Sequence, residues 1–294
     1  MNRTCILGML CVAALAVGAG CKQECPDCEG TIWSAQGQPL WTDNAAVPAC
    51  VADPFERLDE FNLLVIGDMT YGAATMQGRV AVGHDATLDG VVVGAALGTD
   101  AGRDDLVVGH DLTFNSGAAA NGTIVYGNSA NVAEAVTRLG VRQAQVLDFA
   151  AAEQVLTAMT VRLRTLNDAA NGTMVIRNVG EDRRFVQLTG TDPALNLFVL
   201  AADVLAKTDE IAIEAPAGST VLVNVTGHPV RLAPLTTTLV GVTPDHVAYH
   251  VTTATQVTLG GTGLVGLVLA PGADVTFADG VVTGNVVARS LTGA

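Results

Sequence analysis

The chain has 294 residues and a formal charge of −14 at neutral pH; 49% of its residues are hydrophobic, yet only 4% are aromatic. A surface this acidic repels phosphate backbones, which excludes nucleic acid as a partner. A charged fraction of only 15% and thirty-two glycines exclude a disordered chain. They point to a core of stacked small aliphatic side chains.

Residues 1–20 have the form of a signal peptide. Arg3 supplies the positive start, residues 6–17 are apolar, and Gly18, Ala19 and Gly20 are small enough for cleavage. The next residue is Cys21, placed as in a bacterial lipobox, although Gly18 stands where that motif usually carries Leu. A lipidated Cys21 would hold the chain on a membrane as an outer-membrane or cell-surface lipoprotein. The alternative is cleavage by ordinary leader peptidase, giving a secreted soluble protein with Cys21 in a disulfide. Residues 21–57 also carry Cys25, Cys28 and Cys50, both tryptophans, and four of the ten prolines. Cys25 and Cys28 form a C-x-x-C without the strand-to-helix setting of a redox motif, and Cys50 does not supply the second pair a zinc site needs. This segment reads as a tether in which Cys25, Cys28 and Cys50 are disulfide candidates.

Residues 58–294 read as one domain of short strands. The run Val-Gly-His-Asp-x-Thr occurs at residues 82–87 and again at 108–113, with a looser third copy at 122–129. Internal similarity of this kind marks stacked coils. Residues 98–105 are expected to protrude as a loop. His84-Asp85 and His110-Asp111 each follow a glycine, where a polar turn is the expected reading, and His228, His246 and His250 show no ligand spacing. The aspartates of residues 100–105 lack the repeating pattern of calcium-binding β-rolls. No metal site is therefore assigned.

One helix is predicted at about 149–167. Asp148 is a good N-cap, Phe149, Ala152, Leu156, Met159, Leu163 and Leu166 recur at helical spacing, and Gly172 closes the segment. Strands resume at 174–179, 185–188, 197–200, 211–213, 221–225 and 257–259. In residues 264–294, Gly266 and Gly284 each open a strand eighteen residues apart, about one coil. The predicted fold is mainly β: a right-handed β-solenoid with the helix packed along its side.

Several stretches resemble the choice-of-anchor A family of bacterial surface proteins. They are F-N-L-L-V-I-G-D (61–68), G-R-V-A-V-G-H-D-A-T-L (78–88), L-D-F-A-A-A-E-Q-V-L (147–156), L-T-G-T-D-P-A-L-N (188–196), A-P-A-G-S-T-V-L-V-N-V-T-G (215–227) and G-L-V-L-A-P-G-A-D-V-T-F (266–277). The resemblance implies an adhesin-like β-helical body with an accompanying helix, similar in build to bacterial ice-binding proteins, and no catalytic residues. It also implies attachment to the cell, usually through a carboxy-terminal signal or tail. The sequence reaches Ala294 without one, so attachment is expected at Cys21.

The expected function is that of an exported, lipid-anchored protein presenting an adhesive face to matrix, glycan or cell-surface ligands. Ice binding is the alternative and asks for a flat face of stacked threonines. Residues 236–238 and 252–255 are threonine-rich, but their spacing does not repeat from coil to coil. A polysaccharide-active β-helix enzyme is the third reading. It needs converging carboxylates, and no nucleophile elbow, phosphate loop or zinc-protease motif is present. The chain is therefore read as a non-enzyme with no cofactor, and its ligand-binding residues are not identifiable from sequence.

Overall fold

A computed structural model describes residues 61–137, 139–178 and 183–294, together with the backbone of a short antiparallel ladder between Ile32–Trp33 and Pro39–Trp41. Residues 1–20, where a signal peptide is expected, and the cysteines Cys21, Cys25, Cys28 and Cys50 lie outside the described residues.

Most of the β-branched runs become short strands, and nearly all the ladders are parallel. In the first ladder the spatial order is Leu195–Ala201, Thr220–Thr226, Val247–Val251, the start of Leu267–Phe277 and the start of Val286–Gly293. It continues through Phe61–Val65, Arg79–Val82, Asp104–Val108, Thr123–Tyr126 and Val141–Gln143. A second ladder runs from Val230–Leu232 and Gln256–Leu259 through the later halves of Leu267–Phe277 and Val286–Gly293. It then passes through Met69–Gly72, Ala86–Val93, Leu112–Ala118 and Ala130–Val132. A third contains Arg184–Thr189, Thr208–Glu214, Thr236–Val240, Thr262–Val265 and Gly280–Thr283, with Thr173–Asn178 added antiparallel at one end. The result is a large, curled, mainly parallel sheet resembling a β-helix. Inward rows of aliphatic residues such as Leu63, Val80, Leu106 and Ile124 fill its centre.

The order of the coils is not that of the sequence. The final strand pairs with Phe61–Val65 and Met69–Gly72, Val286 with Leu63 and Leu291 with Met69. The closing coils therefore sit in the middle of the stack, against the opening ones.

Glycines at the corners let the coils approach. A Cβ on Gly83 would lie 2.0 Å from the Ile66 carbonyl oxygen, one on Gly109 2.2 Å from that of Gly83, and one on Gly127 1.9 Å from that of Gly109. This accounts for the glycine in the repeated Val-Gly-His-Asp run. Gly284 likewise stacks on Gly266, where a Cβ would lie 2.1 Å from the carbonyl oxygen, and Val286 pairs with Val268 eighteen residues earlier. The expected coil length holds there.

The helix α1 spans Phe149–Thr165, begun by the Asp148 side chain, which accepts a 2.9 Å hydrogen bond from the Ala151 amide. It gives way to a 3-10 turn at Leu166–Ala169, short of the expected stop at Gly172. Its buried stripe of Ala152, Leu156 and Met159 packs on the outward aliphatic residues of the first ladder, among them Leu64, Val107 and Leu222. Two buried polar residues pin its end. Asn224 donates from Nδ2 to the Leu163 carbonyl (2.8 Å) and to Asn167 Oδ1 (2.7 Å). Its Oδ1 accepts from His250 Nδ1 at 2.7 Å. Burial, reinforced by Arg164, pushes the His250 pKa down to about 4.

The expected loop at 98–105 is shorter than the sequence suggests. Asp104 and Asp105 are already buried and open the strand Asp104–Val108. Asp105 pairs with Arg103 (2.6 Å) and Asp104 with Arg142 (2.8 Å). Both carboxylates are thus paired with arginines.

Candidate functional site

The second ladder presents a row that the sequence reading missed. In a strand successive side chains point to opposite faces. Met69 and Tyr71, Ala86 and Leu88, and Leu112 and Phe114 are in the core, so the residues between them point outward. These are Thr70, Thr87 and Thr113, register partners on adjacent coils. Across the chain closure Thr70 pairs with Thr292, Thr292 with Thr276, and Thr276 with Thr258. Six threonines therefore stand in one line, one per coil at the ~4.8 Å spacing of neighbouring strands. Arg231 and Asn131 flank the line. Thr70, Thr87, Thr276 and Thr292 are exposed, Thr113 and Thr258 half-buried.

The threonines singled out from sequence do not build such a row. Thr237 is buried and hydrogen-bonds Tyr249, Thr236 pairs with Gly263, and Thr238 pairs with Ala212. Thr252 is buried, and Thr253 and Thr255 lie outside any strand. The stacked threonines are isolated in sequence, each alone between two apolar residues. Only the closure of the last strand on Met69–Gly72 joins the two halves of the row.

A polar row runs beside them, two residues earlier on each coil: Gln256, Asp274, Ser290, Asp68, Asp85, Asp111 and Ser129. Each of the last three carboxylates holds the next coil. Asp68 Oδ1 accepts from the Asp85 amide (3.1 Å) and from His84 Nδ1 (2.7 Å). Asp85 Oδ1 accepts from the Asp111 amide (3.1 Å) and from His110 Nδ1 (2.6 Å). Asp111 Oδ1 accepts from the Ser129 amide and hydroxyl and from Asn128 Nδ2. The His84 and His110 rings stack, 4.8 Å between centroids and 5° from parallel. The His-Asp pairs are thus polar turns, as expected, and also the links of a continuous ladder.

The charges follow from these bonds. The hydrogen bond from His110 holds the Asp85 carboxyl below its usual range, and those from Ser129 and Asn128 do the same for Asp111. The bond to Asp68 raises the His84 pKa. Arg289 and Ser290 hold Asp274 low. Asp85, Asp111 and Asp274 are thus held ionised, and none of the three offers the raised-pKa acid that glycoside hydrolysis uses.

His250 lies beneath the helix, and His246 bonds Thr243 and neighbours Asp245. Among the described residues the group able to converge on a cation is His84, Asp85 and His110.

Residues 54–294 match the model of a family described as an ice-binding-like adhesive domain. The chain belongs to this family. Among solved structures, this adhesive domain is similar to an ice binding protein from an Antarctic biological consortium. The two are 13% identical, with 83% of this chain and 87% of that one covered and a TM-score of 0.35. No curated protein matches the chain. Among the described residues, no helix of the adhesive domain is long and apolar enough to cross a membrane.

Proposed function

We propose that this chain is an exported, non-enzymatic adhesive protein whose binding face is the threonine row, and that the row recognises an ordered, hydroxyl-rich solid, ice first. The carrying observation is the unbroken line Thr258–Thr276–Thr292–Thr70–Thr87–Thr113. A threonine presents a methyl group and a hydroxyl at a fixed angle, because its branched β-carbon restricts χ1. Repeating that pair along a rigid ladder gives a preorganised template for a lattice, with little side-chain entropy left to lose on binding. The repeat along the ladder is close to that of water oxygens in one direction of ice. Membership of an ice-binding-like adhesive family supports the same reading.

The polar row beside the threonines favours a second ligand, a crystalline polysaccharide whose hydroxyls would reach Asp68, Asp85 and Asp111. On either reading the domain is a β-solenoid held at the cell surface. The signal peptide exports it, a lipid on Cys21 anchors it, and residues 21–57, stapled by one disulfide between two of Cys25, Cys28 and Cys50, hold it away from the membrane. The likeness to choice-of-anchor A proteins supports attachment to a cell.

The decisive measurement is partition of the purified protein into a slowly growing ice hemisphere, with crystal shape recorded alongside. Uptake and faceting are expected, and both should disappear in Thr87→Lys and Thr292→Lys with the unfolding temperature unchanged. Exclusion of the unmodified protein from ice would remove the ice reading. Pull-down on insoluble chitin and cellulose then tests the polysaccharide, again against the two lysine variants.

A further inference from the structure

We propose that the corner at Gly67 is a binding slot for one aromatic ring, a tyrosine or tryptophan side chain of a partner protein, held between His84 and Arg289. The corner residues of successive coils form a row. The Gly67 amide donates to the Arg289 carbonyl (2.7 Å), that of His84 to Gly67 (3.1 Å), that of His110 to His84 (3.2 Å) and that of Asn128 to His110 (2.9 Å). Arg289, Gly67, His84, His110 and Asn128 therefore hold one position on five consecutive coils. Four of them carry a planar group tied by its edge to the acid one coil earlier. Arg289 donates from Nε to Asp274 Oδ1 (2.9 Å) and from Nη2 to Oδ2. His84 bonds Asp68, His110 bonds Asp85 and Asn128 bonds Asp111. With the edges bonded, the faces turn along the stack, and His84 lies on His110 at 4.8 Å and 5° from parallel. Gly67 alone brings no side chain to the row.

That gap is one ring thick. His84 and Arg289 are two coils apart, about 9.6 Å at the strand spacing, so a ring at the level of Gly67 lies about 4.8 Å from each. This is the range of stacked rings and of a cation over an aromatic face. The Arg289 and His84 side chains are 47% and 56% exposed, so the slot opens to solvent. Its charges select the occupant. A guanidinium attracts the negative face of an aromatic ring, and the bond to Asp68 raises the His84 pKa, which favours imidazolium on the other side. A cation would be repelled by Arg289, and an anion would meet Asp68 and Asp274 at the rim. Open to solvent and one ring deep, the slot suits a side chain presented by another polypeptide, and aromatic anchors dominate such contacts. It stands beside the threonine row and does not depend on what that row binds.

The test is titration of the full chain with N-acetyl-tyrosinamide and N-acetyl-tryptophanamide, following the imidazole proton shifts of His84 and the line widths of the probe. Saturable upfield shifts at His84 are expected with both. The amide of N-acetyl-cyclohexylalanine, of similar size but without a π face, should cause none. Gly67→His supplies the absent ring and should abolish binding. His84→Ala should weaken it at least fivefold, and Arg289→Gln about threefold, the range of one exposed cation–aromatic contact. Asn128→Ala, at the far side of the histidine stack, should leave it unchanged. Unfolding temperatures of all variants separate lost binding from lost structure. Absence of saturable shifts in the unmodified protein, equal binding of the cyclohexyl probe, or unchanged binding by folded Gly67→His and His84→Ala would each overturn the proposal.

Discussion

Val287, in the strand Val286–Gly293, is the register partner of Leu64 in Phe61–Val65. Both are buried in the aliphatic layer beneath the helix. A strand at the start of a domain ordinarily frays, but this one has a neighbour on each side, Val286–Gly293 and Arg79–Val82. Amides of Phe61–Val65 should therefore exchange with deuterium as slowly as those of Val247–Val251. The edge strand Val141–Gln143, with all three side chains exposed, should exchange quickly. Leu64→Ala should lower stability by about 2–4 kcal/mol. Rapid exchange throughout Phe61–Val65 would contradict the closure.

His250 gives the fold a defined pH dependence. Its pKa lies at about 4 in the folded protein against an ordinary 6.5, because burial and Arg164 disfavour the imidazolium. Between these values the unfolded chain binds the proton and the folded chain does not, so stability is full above pH 6.5 and is lost as pH falls towards 4. The depression corresponds to roughly 3 kcal/mol at its full extent. His84 acts in the opposite sense. The bond to Asp68 raises its pKa, so its contribution is present below pH 6.5 and fades as pH rises through the raised value. Urea unfolding at pH 7 and pH 4.5 should show a loss that His250→Gln largely removes. An unchanged loss in that variant would place its source elsewhere.

Much of this fold is legible in the sequence because its signals are local. The strand runs, the Asp148 cap with its apolar stripe, and the glycine before each His-Asp pair depend only on near neighbours and steric rules. The coil repeat of 82–87 and 108–113 could be read because both copies are nearly identical. The order of coils could not, since nothing local in Val286–Gly293 says that its partner is Phe61–Val65. The threonine row proposed as the binding face was lost with it. Thr292 and Thr70 become neighbours only through that closure, and a threonine between two core residues looks like any other outward position. Dense runs such as 236–238 drew attention because they are adjacent in sequence, whereas a β-helix face is built from residues one coil apart.

Arg103 and Asp105 should behave as one unit. Asp105 is fully buried and accepts from Arg103 Nε at 2.6 Å, while the guanidinium also donates to the Gly98 and Asn121 carbonyls. Arg103→Ala leaves a buried carboxylate without its cation, and a loss of about 3–5 kcal/mol is expected. Adding Asp105→Asn should recover part of that loss, because the amide carries no charge. A double-mutant cycle measures the coupling. Strict additivity of the two single changes would mean that the pair does not act through charge.

Two glycines make the last contrast. A Cβ on Gly109 would lie 2.2 Å from the Gly83 carbonyl oxygen and 3.2 Å from the Phe149 ring, whereas one on Gly98 meets nothing within 4 Å. Backbone on one side and the first residue of the helix on the other leave the corner at Gly109 no room to yield. Gly109→Ala should therefore cost at least about 2 kcal/mol. It should also disturb the stacking of His110 on His84, visible as a change in the imidazole proton shifts. Gly98 lies in the loop before Arg103, and Gly98→Ala should be neutral or stabilising by up to about 1 kcal/mol, through the reduced freedom of the unfolded chain. Equal stabilities of the two alanine variants would mean that the corners of the coils are not close-packed, and the account of the repeated glycine would fail with them.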